Sequence, residues 1–141
     1  MERFVKAQEA MYDTALRELK QGEKESHWIW FIFPQLYGLG RSETAQFYGI
    51  RGRQEAMAYL SHPVLYPRLV TCCEALLMHS DKTAEDVMGW DVDALKLWSS
   101  MTLFACCSAP DSVFHQVLQA FYHGKQDPNT LALLQNEKES L

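Results

Sequence analysis

Lys96, Ser99 and Ser100 stand at i, i+3 and i+4, a spacing that lets three side chains on one helix reach a common point. A lysine beside a serine can activate it as a nucleophile, and the same groups can hold a phosphate or carboxylate. The plain alternative is two serines packed against a neighbouring helix with a solvated lysine beside them. His27 and Trp28 sit at the mouth of the apolar run Trp28 to Phe33, and Trp30 follows two residues on. A histidine there can serve as general acid or base near neutral pH, and an indole can stack on a base or sugar. A core histidine with its bonds satisfied explains the same residue equally well. Gly38-Leu39-Gly40-Arg41-Ser42 leads into a helix start, where free N–H groups and the helix dipole favour an anion and Arg41 adds a planar cationic donor. It lacks the third glycine and the βα setting of a dinucleotide fingerprint, and ordinary turn and cap chemistry accounts for it as well.

Other chemistries find no motif. There is no H-E-x-x-H, no cysteine pair at ligand spacing and no acidic calcium loop, so no metal and no cofactor is expected. The G-x-S-x-G of a serine hydrolase is absent.

The elements that must position these groups read as helices. From Glu2 to Lys20 apolar residues recur at helical spacing, and Gly22 marks a left-handed stop. Ser26 reads as the cap of a short, wholly buried helix through Phe33 that Pro34 ends, with a buried strand as the alternative. Ser42 caps a helix closed by Gly49, and Gln54 to Leu60 forms another. His62 to Pro67 is a turn or kink before a helix from Arg68 to Met78. Thr83 caps a segment stopped by Gly89, Asp91 a helix from Val92 to about Cys107, and Asp111 a helix from Ser112 to Tyr122. Pro128 opens the last helix. With no alternating strand pattern, the expectation is one all-α domain over residues 1–135, with six to nine helices, several of them short, and a buried aromatic central segment. A charged, mobile tail over 136–141 is expected to follow.

The totals agree. The 141 residues are one domain's worth, and 48% hydrophobic with 22% charged residues is the composition of a chain that buries a core. A net charge of -5 gives no overall attraction to nucleic acid or to anionic lipid, and no run approaches the length of a membrane span. Without a secretory signal the chain reads as a soluble cytoplasmic protein, a monomer or homodimer. Cys72-Cys73 and Cys106-Cys107 read as small core residues on helices.

Five phrases carry a family resemblance: Phe4 to Gln8, Lys24 to Gln35 (Lys-Glu-Ser-His-Trp-Ile-Trp-Phe-Ile-Phe-Pro-Gln), Gly38 to Ser42, Ala56 to Leu65, and Lys96 to Phe104. Together they resemble the bacterial and fungal domain of unknown function number 1810 along nearly the whole chain; Tyr66 stands where that family often has glycine before Pro67. The resemblance implies a compact helical domain and brings no activity with it. Some members carry a calpastatin label, but calpastatins are polar and disordered, whereas this composition folds. Polar residues inside the phrases suggest a pocket. Lys24, Trp28, Trp30, Gln35, Gly38, Gly40, Arg41, Ser42, Tyr48 and Ser99 are its candidate ligand-binding residues, with His27, Lys96 and Ser100 as candidate catalytic groups. The expected ligand is a small anionic or nucleotide-like molecule, with chemistry of the ADP-ribose type at a glycosidic or phosphoester bond. The alternative is a protein interaction or adaptor module whose aromatic block is purely core.

Overall fold

Asp91–Cys106 forms the helix on which the others converge, because its second half is apolar or small on every side. Ser99 through Ala105 are all buried, which is the signature of a helix surrounded by neighbours and not laid on a surface. In the computed structural model, which describes residues 1–139, this is α7 of nine α-helices among the described residues. The others are α1 Glu2–Gln21, α2 Ile29–Ile32, α3 Glu43–Phe47, α4 Arg53–Leu60, α5 Leu65–Leu77, α6 Ala84–Met88, α8 Val113–Tyr122 and α9 Pro128–Glu139. Helices α2, α4, α6, α8 and α9 all pack on α7, while α1 lies against α2 and α5, and α5 against α4 and α8. The all-α single domain expected from the sequence is what the chain forms.

The aromatic run supplies the centre. Trp28, Ile29, Phe31, Ile32 and Phe33 are all buried in the core, joined by Phe4, Leu19, Tyr59, Leu69, Leu97 and Phe104. Only one helical turn forms within it, and Trp28 holds the cap position without a side-chain capping bond. Ser26, the cap expected from the sequence, does not cap this helix; two residues too early to reach its free N–H groups, it turns its hydroxyl to Glu18 Oε2 at 2.6 Å. After Pro34 the backbone runs beside the segment at Ile50. Tyr37 N–H donates to Ile50 O at 2.8 Å and Ile50 N–H to Gln35 O at 2.9 Å, one isolated parallel bridge between Leu36 and Ile50.

Local punctuation mostly falls where residue chemistry puts it. Gly22 ends α1 at φ 79° and Gly89 ends α6 at φ 81°, a conformation glycine adopts without steric cost. Ser42 and Thr83 accept from Ala45 N and Asp86 N as caps of α3 and α6. Several boundaries shift. Tyr48, not Gly49, holds the C-cap position of α3. Asp91 opens α7 as its first residue, with Trp90 in the cap position. Ser112, not Asp111, caps α8, because its hydroxyl sits at the right reach of His115 N. Helix α5 starts at Leu65, so Pro67 falls in its first turn, where a missing N–H costs nothing. His62 Nδ1 accepts from Val64 N and Leu65 N and closes that turn. Helix α9 continues through Glu139, and the remainder of the expected tail, residues 140 and 141, lies outside the described residues.

Candidate functional site

Two polar assemblies on α7 take up several of the residues singled out from the sequence. The first surrounds Lys24. Glu18, on the inner face of α1, accepts from Glu25 N and Ser26 N, from Ser26 Oγ, and from Trp28 Nε1, at 2.6 to 2.9 Å. Burial raises its carboxyl pKa, but these four hydrogen bonds outweigh burial and lower it from 4.5 to about 2. Lys24, itself buried, donates from Nζ to Ser26 O at 2.5 Å and to Asp93 Oδ2 at 2.7 Å. The same ammonium lies over the indoles of Trp28 and Trp90, 4.8 and 4.7 Å from their ring centroids. His27 is exposed and stacks on Trp90, with centroids 5.2 Å apart.

This assembly ties the aromatic run to α1 on one side and α7 on the other. Trp28 is fully buried, its N–H spent on Glu18, so its indole has no face open to a ligand. Glu18 and Asp93, which complete the set, escaped the sequence reading. For Glu18 a signal existed: it stands three residues after Ala15, on the buried stripe of α1.

The second assembly is a groove between α7, the loop after Pro34 and the head of α9. It encloses about 260 Å³ and is lined by Gln35, Leu39, Val92, Leu95, Lys96, Trp98, Ser99, Asp127 and Asn129. Asp127, the residue before α9, is almost wholly buried and holds the groove's floor together. Its Oδ2 accepts from Ser99 Oγ at 2.7 Å and Thr130 Oγ1 at 2.6 Å, and its Oδ1 from Asn129 N at 3.2 Å. Its own N–H donates to Thr102 Oγ1 at 2.9 Å. Trp98 is held by a bond from Nε1 to Lys125 O at 2.8 Å and by stacking on Tyr122. Lys96 is half-buried at the groove and makes no hydrogen bond or ion pair among the described residues.

Of the expected ligand-binding and catalytic residues, the structure thus brings Gln35, Lys96 and Ser99 together. Gly40 belongs beside them: a Cβ there would come 2.5 Å from Ala45 Cβ and 3.2 Å from Gln35 Nε2, so glycine is what lets this turn close on Gln35. Ser100 is completely buried behind them, and its hydroxyl has no hydrogen-bond partner among the described residues.

The others lie apart from the groove. Lys24, His27 and Trp28 belong to the first assembly. Arg41 is exposed, Ser42 is spent as a helix cap, and Gly38 forms an exposed turn at φ 103°. Tyr48 stacks on Phe31 and meets Phe4 and Phe47 edge-on or tilted, so its ring is occupied by its neighbours; Trp30 packs half-buried against the core. Among the described residues no group of three or more His, Cys, Asp or Glu could hold a metal ion, and no helix is long and apolar enough to cross a membrane.

Known proteins extend this picture. The fold is similar to that in the 1.38 Å crystal structure of the conserved hypothetical protein Rv1873 from Mycobacterium tuberculosis, with a TM-score of 0.91 and 44% identity over 94% of each chain. Among curated proteins nothing matches. The family described as protein of unknown function (DUF1810) matches residues 1–134, a span that includes both polar assemblies on α7. With nearly its whole length matched, the chain belongs to the DUF1810 family.

Proposed function

We propose that the groove between α7 and the head of α9 binds a small anionic ligand, nucleotide-like in pairing a negative group with a flat or apolar part. The observation that carries this reading is Lys96: a half-buried lysine without a partner among the described residues, in a concavity also lined by Gln35 and Asn129. Such a cation gains a charge-assisted bond when an anion arrives and breaks none in exchange. Leu39, Leu95 and Trp98 offer the apolar wall. If the ligand is turned over at a glycosidic or phosphoester bond, Asp127 is the carboxylate within the groove, whereas His27 belongs to the Lys24 assembly.

The reading is tested by thermal shift against a panel of nucleotides and inorganic anions, with Lys96→Ala alongside. A nucleotide that stabilises the wild type and loses its effect in a folded Lys96→Ala variant supports it; no stabilisation by any member of the panel overturns it. A second reading, a protein interaction module, is favoured by the outer face of α7, where Val92 and Leu95 are 59% and 58% exposed beside Trp90. Small molecules released from the purified protein and weighed by mass spectrometry separate the two.

A further inference from the structure

The groove contains a contradiction for a purely anionic ligand. Its cation, Lys96, shares the concavity with the carboxylate of Asp127, which repels negative charge. That carboxylate is not saturated. A carboxylate offers about four acceptor positions, and three of those on Asp127 are taken: Ser99 and Thr130 both donate to Oδ2, and Asn129 N donates to Oδ1. One acceptor position therefore remains on Oδ1. Among the described residues no fourth hydrogen bond reaches the carboxylate. The Ser99 and Thr130 hydroxyls already point at Oδ2, and the Asp127 N–H is spent on Thr102.

Resting on the reading of the groove as an anion site, we infer that its ligand is a hydroxylated phosphate ester of the sugar-phosphate class. The negative group meets Lys96, and one ligand hydroxyl donates to Asp127 Oδ1. A single open position suits a hydroxyl, which has one proton to give, better than an ammonium, which has three donors to satisfy. This separates the class from zwitterions such as amino acids, which also carry both a donor and an anion. The polar partners make the arrangement rigid before any ligand arrives. Ser99 holds Oδ2 from α7, and Thr130 holds it from α9, so the carboxylate is fixed by two helices at once. Asp127 then acts as a specificity residue: it rejects bare anions by charge and accepts those that bring a hydroxyl of their own.

The test compares ribose 5-phosphate, sulfate and free glycine by calorimetric titration of the full chain, with Asp127→Asn and Lys96→Met as variants. Ribose 5-phosphate should bind the wild type about tenfold or more tightly than sulfate, which has no proton to give at neutral pH and meets the Asp127 carboxylate as bare charge. Asp127→Asn, which keeps an oxygen to cap α9, should bind sulfate as well as or better than the wild type and narrow that preference. Lys96→Met should lose both anions. Equal binding of sulfate and ribose 5-phosphate by the wild type overturns this inference and leaves the anion site standing. Tighter binding of glycine also overturns it. Failure of all three ligands sinks the anion site with it. Circular dichroism establishes that each variant is folded; should Asp127→Asn not fold, the wild-type comparison of the two anions decides alone.

Discussion

Lys24 shows how a single charged side chain can be built into an apolar centre. Its ammonium is satisfied by a carboxylate, a carbonyl and two indole faces, so removing it strands Asp93 instead of merely deleting a contact. Lys24→Met is expected to lower stability by about 3 kcal/mol in urea unfolding, the usual cost of breaking one side of a buried pair. The double variant Lys24→Met/Asp93→Leu should recover most of that loss, and a single variant as stable as the wild type would show that the pair carries nothing. Ser100, one position from Ser99, behaves differently: its hydroxyl is buried without a partner among the described residues, while Ser99 spends its own on Asp127. Two serines that look equivalent in the chain are separated by about 100° of helix rotation. Only one of them reaches the groove.

At the level of elements, the short helices depend on their ends. A helix of four or five residues has almost no interior, so α3 and α6 persist through caps and packing, and the buried α2 through packing, not through propensity. Gly89 illustrates the point. It holds a left-handed conformation at the end of α6, and a Cβ there would lie 2.7 Å from Lys24 O. The Lys24 N–H bonds Val87 O at 2.7 Å, so the same junction aligns the Lys24 assembly with α6. Gly38 is also left-handed, at φ 103°, but a Cβ there meets nothing nearer than 3.8 Å. Gly89→Ala should therefore cost about 2 kcal/mol or more, strain plus clash, and Gly38→Ala only the strain of about 1 kcal/mol. Thermal midpoints of the two variants check the order; equal losses would mean that the approach to Lys24 O relaxes freely.

For the molecule as a whole, the polar core couples stability to acid. Glu18 titrates at about 2 when folded against 4.5 ordinarily, so the unfolded chain takes up this proton first as pH falls. The contribution is full above about pH 5 and is lost progressively as pH drops through 4 toward 2. Urea midpoints at pH 7, 4 and 2.5 should decline in that order, and Glu18→Gln should start lower and decline less. A variant with the wild-type slope would assign the acid sensitivity to other carboxylates, Glu55 with its Arg3 partner first among them. Sequence by itself determined the helical class, the central aromatic segment, and the stops and caps at Gly22, Ser42, Thr83 and Gly89, because each of these depends on a residue and the three or four beside it. Tertiary structure alone decided where the polar groups go. Ser26 left its expected cap for Glu18, eight positions away, and Ser99 found Asp127, 28 positions away. The lysine, serine and glutamine of the groove were legible as residue types, but the carboxylate that completes it was not. Local hydrogen bonds follow from chain neighbours, whereas a buried acceptor chooses among all the donors that helix packing delivers to it.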